Sequence, residues 1–543
     1  MTRMVDHLVV LPVLLPLVAA AAMLLLGGEQ RRSAKAALNL VSTFALVAIA
    51  IALLLRADAS PTGVAAIYRL GAWPVPFGIL LVADRLSSLM LLLTSILALA
   101  AVTFSLARWH RVGAHFHALF QFMLMGLNGA FLTGDLFNLF VFFELMLAGS
   151  YGLALHGSGS ARVKAGLHYI AVNLAASLLF LIGVSLIYGV GGTLNMADLA
   201  MRIPESAPEN RALLEAGAAI LGVAFLIKAG MWPLCFWLPT TYAAASPPVA
   251  AVFALLTKVG AYIVLRLWLL LFGEQAGVSA GFGGEWLLFG GLATIAFGTI
   301  GALASQGMAR LAGFAVLVSS GTVLAAIGMD RVDVTGGALF YLVSSTLGIS
   351  AFFLLVELVE RGREPGADVL AVTREIYGED EDVEQAEGES GISIPATMGV
   401  LGLAFIACAL VIAGLPPLSG FIAKFALLSA ALGRPDGGAI SAIPAVSWLL
   451  LAVLILSGLA VLIAMTRAGI NAFWAAPDRA VPRVRVIEIA PVAILLILCG
   501  LQTVQAGPVM RFMQSTAQSL HAPQDYVRHV LRSASAEQRP EVR

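Results

Sequence analysis

The chain has 543 residues, of which 60% are hydrophobic and 12% charged, and its 32 basic and 32 acidic side chains balance to a formal net charge of zero. Soluble domains carry about 25% charged residues, so a chain this poor in charge cannot clothe its surface in polar groups. That excludes a water-soluble globular protein, makes lipid the expected solvent, and leaves no net charge to attract nucleic acid.

A membrane helix needs about 20 mainly apolar residues. In chain order such stretches fall at 7–27, 34–55, 82–106, 114–133, 137–156, 164–190, 212–237, 247–271, 285–305, 310–328, 335–359, 394–433 (interrupted), 445–467 and 486–506, numbered here as spans 1 to 14. The first lacks a basic leader and a clear cleavage site, so it reads as a membrane helix rather than a removed signal. Backbone groups find no water in lipid, and the alternation of a membrane β-barrel is absent, so the spans are read as helices. The expected class is an all-α polytopic membrane protein.

The loops add detail. Residues 65–70 look strand-like and precede the turn-prone Trp73-Pro74-Val75-Pro76, which suggests a short external hairpin between spans 2 and 3. Gly189-Val190-Gly191-Gly192 follows a span and reads as a turn. Residues 361–390, with Gly378-Glu379-Asp380-Glu381-Asp382, read as a flexible acidic insertion on the cytoplasmic side. Basic residues concentrate in the odd-to-even loops, for example Arg31, Arg32 and Lys35, then Arg108 and Arg111, then Arg479, Arg483 and Arg485. By the positive-inside rule these loops face the cytoplasm and both termini face outside. The basic tail (Arg528, Arg532, Arg539, Arg543) opposes this, so either it lies amphipathically on the membrane or the span count is off by one. Cys235, Cys408 and Cys499 have no paired spacing and read as small core hydrophobes.

Two spans are interrupted at membrane depth. Span 7 contains Ala229-Gly230-Met231-Trp232-Pro233-Leu234, and span 12 contains Ala413-Gly414-Leu415-Pro416-Pro417-Leu418. Proline removes a helix hydrogen bond and clashes with the preceding turn. The two interruptions align at one offset, which fits an internal transporter repeat as well as it fits two ordinary kinks. Span 8 is expected to open on a similar break at Pro247-Pro248.

Charges inside spans are costly, at about 2.5–3.5 kcal/mol each. Glu144, Lys228, Lys258 and Lys424 fall inside spans 5, 7, 8 and 12. One carboxylate cannot neutralise three lysines. The remaining lysines need water or must give up their proton part of the time, since burial disfavours the charged form. A row of such groups is a proton relay, with a Glu–Lys pair as its switch. His168 in span 6 stands equally as a member of that path and as a satisfied core histidine. Asp135 and Asn138, at the start of span 5, either draw cations to an outer mouth or cap the helix, and capping is the simpler reading. No metal-ligand spacing, phosphate loop or catalytic triad is visible, and nothing suggests a cofactor.

These residues carry a family resemblance over nearly the whole chain. The segments are Gly134-Asp135-Leu136-Phe137-Asn138 through Glu144, Thr193-Leu194-Asn195-Met196-Ala197-Asp198-Leu199, Ile227-Lys228-Ala229-Gly230 through Trp237-Leu238-Pro239, Thr257-Lys258-Val259-Gly260 and Gly414-Leu415-Pro416-Pro417 through Lys424. They resemble the antiporter-like subunits shared by respiratory complex I and the Mrp (Pha, Mnh) cation/proton antiporters, and the D-type Mrp subunit in particular. The resemblance implies fourteen helices, inverted five-helix repeats in spans 4–8 and 9–13, broken spans 7 and 12, and a domain division at 1–113, 114–271, 285–467 and 468–543. It implies a Glu144–Lys228 switching pair, a central Lys258 and Lys424 in the second half-channel. It also implies partners: a large A-like subunit and small membrane subunits of an antiporter for Na⁺ or K⁺ in a bacterial inner membrane. The alternative is a proton-pumping subunit of an NADH:quinone oxidoreductase or membrane hydrogenase.

The chain also departs from the pattern. Relatives often carry lysine where His168 stands, and one complex I relative carries glutamate where Lys424 stands. Relatives often have histidine or lysine in span 10 or 11 between the last two lysines. Here that region offers only Ser319, Ser320, Ser344, Ser345 and Thr346.

Overall fold

The computed structural model describes residues 7–27, 31–73, 77–112, 115–361, 396–433, 443–474 and 482–535. Past Arg361, the acidic insertion expected at 361–390 lies outside the described residues, as does the Pro74–Pro76 part of the expected turn.

Among the described residues, twelve helices are long and apolar enough to cross a membrane. The shorter apolar helices Leu11–Leu25 and Phe116–Leu132 supply spans 1 and 4, and Ser419–Leu432 is the second half of span 12. Together they make the fourteen spans that the apolar runs predict. Span 8 (Pro247–Leu271) and span 11 (Val332–Glu360) are buried along almost their whole length, whereas span 2 (Arg32–Ala59) and span 14 (Val486–Val504) keep mostly exposed apolar faces. The helix with Lys258 is thus the most enclosed, and the rim turns its apolar side chains to lipid. Span 8 reaches span 7 closely at Gly260. A Cβ there would stand 2.6 Å from Ala229 N and 2.7 Å from Phe225 O, the close approach that small residues permit between membrane helices.

The hairpin forms. Strand β1 (Val64–Arg69) pairs antiparallel with β2 (Leu80–Asp84), with Arg69 opposite Leu80 and Val64 opposite Asp84. Span 3 therefore starts later than its apolar run suggests, at Arg85. The boundary is set by a capping box. The Asp84 carboxylate accepts from Ser87 N at 2.8 Å and Asp84 N donates to Ser87 Oγ at 2.8 Å. Pro247 is likewise no break. It stands in the first turn of span 8 after Ser246, where a missing N–H costs nothing. Gly192, with φ +66, ends span 6 (Ser160–Gly191) as the glycine run suggests.

Two helices follow span 14, Ala506–His521 and Gln524–Ser535. The first packs over the end that carries the hairpin. Arg85 Nη1 donates to Ser519 Oγ at 3.1 Å, and Thr335 Oγ1 lies 2.9 Å from His521 Nε2. Of the basic tail, Arg528 and Arg532 lie on the second of these helices, after a fourteen-span core, and Arg539 and Arg543 lie outside the described residues.

Candidate functional site

Both interrupted spans break as the sequence suggests. The span 7 helix Arg211–Ala229 ends at Gly230, whose φ of +70 suits a residue without a Cβ, and the chain turns irregularly through Trp232-Pro233 before the short helix Leu238–Ala244 starts with Pro239 in its first turn. The span 12 helix Ala396–Ala413 ends at Gly414 with φ +79, passes through Pro416-Pro417 and restarts at Ser419. The Trp232–Pro233 and Pro416–Pro417 peptides are both cis. A helix end frees carbonyl oxygens that must find donors inside lipid. At the first break Ser320 Oγ donates to Ala229 O. At the second, Lys424 Nζ donates to Ala413 O at 2.8 Å. A Cβ on Gly414 would meet Lys424 Cδ at 2.5 Å, and a side-chain-bearing residue in the left-handed region costs about 1–2 kcal/mol. Gly414→Ala is therefore expected to lower the melting temperature of the protein in detergent. An unchanged melting curve would show that the turn relaxes without cost.

The charged side chains sit where these breaks and their neighbours meet. Lys228, fully buried one residue before the end of its helix, donates to Tyr169 OH at 3.1 Å and Asn173 Oδ1 at 3.3 Å, both on span 6. Its ammonium also faces the Tyr169 ring at 5.1 Å and the Phe143 ring at 5.9 Å, within cation–π reach. Tyr169 OH in turn shares a hydrogen bond of 2.8 Å with Ser150 Oγ on span 5 (Leu136–Ala154). Glu144, also on span 5, accepts from Ser177 Oγ. The expected Glu144–Lys228 pair is therefore neighbouring but not closed, because neutral side chains of span 6 hold each partner.

Lys258 is buried at 1% exposure, and its ammonium donates to Ser319 Oγ at 2.7 Å on span 10 (Met308–Gly328). Lys424 lies at the second break as described. The structure brings these lysines into the protein interior and places His168 elsewhere. His168 is on the exposed face of span 6, against the Phe236 ring at 5.4 Å. The buried neighbour of Lys228 is the adjacent Tyr169. Asp135 caps span 5 by accepting from Asn138 N at 2.8 Å, and Asn138 Nδ2 donates to Thr133 Oγ1 at 2.9 Å. Burial pushes the Asp135 carboxyl above the ordinary aspartate range, against the pull of backbone N–H bonds. This corner joins the second motif segment, as Leu136 N donates to Leu194 O at 2.9 Å and Asn195 caps Met196–Arg202.

Tyr169, Asn173 and Ser177 do not stand out in the sequence. Their signal is a polar residue every fourth position along one face of an apolar helix. Lys258, Tyr262 and Arg266 form a second such row on span 8. Arg266 pairs with Asp84 across the hairpin end, its Nη2 donating to Asp84 Oδ1 at 2.8 Å, and both side chains are about nine-tenths buried. Tyr262 OH donates to Phe131 O at 2.7 Å. Cys235, Cys408 and Cys499 are buried and free, as core hydrophobes.

Residues 133–450 match the family model described as NADH:quinone oxidoreductase/Mrp antiporter, TM. The chain is 62% identical over 539 residues, with 99% of each chain covered, to the D subunit of a probable K(+)/H(+) antiporter from Rhizobium meliloti (strain 1021). It is 32% identical to the D subunit of a Na(+)/H(+) antiporter from Alkalihalophilus pseudofirmus, covering 97% of this chain and all of that one. Among solved structures, a chain of the Mrp complex from Dietzia sp. DQ12-45-1b superposes with a TM-score of 0.79 at 25% identity, over 97% of this chain and 99% of that one. A chain of respiratory complex I from Thermus thermophilus superposes at 0.73 and 22% identity, over 96% and 99%, a likeness of fold.

Proposed function

The chain belongs to the NADH:quinone oxidoreductase/Mrp antiporter transmembrane family, and from that premise we propose that it moves protons within a multisubunit monovalent cation/proton antiporter. The observation that carries the reading is the set Glu144, Lys228, Lys258 and Lys424. Each sits on a different span, the three lysines are buried, and every one of the four is held by a hydrogen bond to another span or a broken helix end. Such charges at membrane depth cost about 2.5–3.5 kcal/mol each, which a purely structural role does not offset.

Glu144 and Lys228 act as the switch. With the carboxylate swung toward Lys228, the lysine is held charged. In the open arrangement, with Glu144 on Ser177 and Lys228 on Tyr169 and Asn173, the lysine rests on neutral dipoles and the proton can move on. Lys258 is the centre of the path and Lys424 the group of the second half. His168, on the outer face, has no part in it. Spans 4–8 and 9–13 are two inverted repeats within the division 1–113, 114–271, 285–467 and 468–543. Other membrane subunits, a large A-like one and small ones, complete the antiporter in a bacterial inner membrane. The chain acts as a transporter subunit and not as an enzyme, and 62% identity to an antiporter component favours this over a redox-complex role. The same relative favours potassium as the exchanged cation.

The test is exchange in membrane vesicles holding the complete complex, read with a pH-sensitive dye on addition of K⁺ or Na⁺. Glu144→Ala is expected to slow exchange by at least about tenfold, since a positioned proton-transfer group contributes 10²–10⁴-fold, with assembly intact and K⁺ the better cation. Normal exchange by an assembled Glu144→Ala complex would remove the switch from the mechanism.

A further inference from the structure

The proposed path needs a connection between Lys258 and Lys424, and no ionisable side chain among Ser319, Ser320, Ser344, Ser345 and Thr346 provides one. The hydroxyls of those residues do not all behave alike. Thr346 Oγ1 turns back to Leu342 O within its own helix, and Ser320 Oγ is taken by Ala229 O. The other three reach across to neighbouring spans, with Ser345 Oγ also donating to Leu342 O of its own helix at 3.3 Å, a longer bond that it leaves to pass a proton on. Lys258 Nζ donates to Ser319 Oγ at 2.7 Å, and Ser319 Oγ lies 2.8 Å from Ser345 Oγ on span 11. On the adjacent residue of span 11, Ser344 Oγ lies 2.7 Å from Ser419 Oγ, the first residue of the span 12 half-helix that carries Lys424. All four serines are buried. Tyr341, one turn before Ser345, turns its phenol toward Ser319 and Thr322.

We propose that Ser319, Ser345, Ser344 and Ser419 form the hydroxyl conductor that carries protons between Lys258 and Lys424, in place of a titratable bridge. Two serines on consecutive positions of one helix point about 100° apart and so meet different neighbours. One faces the first lysine and the other faces the half-helix of the second. A hydroxyl both accepts and donates, so it passes a proton without holding one. One N–H bond breaks at Lys258, each hydroxyl takes a proton on one side and releases its own on the other, and one N–H bond forms at Lys424. No serine is left charged, and the hydroxyls then rotate to reset. Water completes the hand-over between Ser345 and Ser344 and between Ser419 and Lys424. The path therefore has no ionisable stop between its two lysines.

The inference rests on the relay reading above, and its test separates the two. In vesicles holding the complete complex, Ser319→Ala and Ser345→Ala are each expected to slow cation/proton exchange by about tenfold or more with the complex assembled. Ser345→Thr, which keeps the hydroxyl, is expected to retain most of the rate. Exchange at the native rate in the Ser319→Ala/Ser345→Ala double variant would overturn the proposal, as would equal loss in Ser345→Ala and Ser345→Thr, which would mark a packing effect. Should Ser319→Ala disturb assembly, Ser344→Ala puts the same question to the other arm, with the same two outcomes. Lys258→Ala runs alongside. If it is inactive while the serine variants exchange normally, the relay stands and the hydroxyl route falls. If it too exchanges normally, the relay reading itself has failed.

Discussion

Lys258→Ala is expected to abolish cation/proton exchange in vesicles, with a fall of about a hundredfold or more, while the complex still assembles. Lys258 lies on the most enclosed helix of the protein, and its ammonium bonds to a neutral hydroxyl, Ser319 Oγ, at 2.7 Å. Among the described residues it holds no ion pair there, so its removal strands no partner charge among them. Truncation removes a buried amine that is unfavourable to bury, and the stability of the protein should change little or rise. A melting temperature well below that of the native protein, with exchange lost in proportion, would instead make Lys258 a structural residue.

The opposite pattern is expected at the other end of the same helix face. Arg266→Ala is expected to cost about 3–5 kcal/mol, because removing one partner of a buried pair leaves the other charge uncompensated. The stranded group is Asp84, whose carboxylate accepts from Arg266 and caps span 3 through Ser87 N. The arginine also bonds to Tyr262 OH at 3.3 Å and faces the Tyr526 ring at 5.5 Å, so hairpin, span 8 and the last helix would loosen together. Thermal unfolding in detergent reads this directly, and the double change Asp84→Leu/Arg266→Met should recover much of the loss. A single Arg266→Ala change that leaves the melting curve in place would show that water already reaches the pair.

What is legible in the sequence follows from the cost of each feature in lipid. An intramembrane charge is expensive enough to stand out alone, so Glu144, Lys228, Lys258 and Lys424 are visible without any structure. The broken spans are visible for the same reason, since Gly230-Pro233 and Gly414-Pro417 interrupt helices that lipid demands be continuous. Neutral polar residues carry a weaker signal. Tyr169, Asn173 and Ser177 can be recognised only by spacing, and His168 draws attention because histidine is a common proton carrier. One residue along a helix is a rotation of about 100°, which sends His168 to the exposed face and Tyr169 to the core. Strand β2 is hidden because Leu80-Leu81-Val82-Ala83 merges into an apolar helix run, and short apolar runs do not distinguish strand from helix. The Arg266–Asp84 pair joins residues far apart in the chain, and nothing local announces it.

The bond from Ser320 to the Ala229 carbonyl has a consequence for how such a chain drifts in evolution. The end of span 7 is stitched by a residue from span 10. Neither span is then free to vary at this seam by itself. A change at position 320 that removes the hydroxyl strips the Ala229 carbonyl of this donor, and a hybrid chain spliced between spans 7 and 10 of two distant relatives is expected to keep the seam closed when both sides of the stitch come across together.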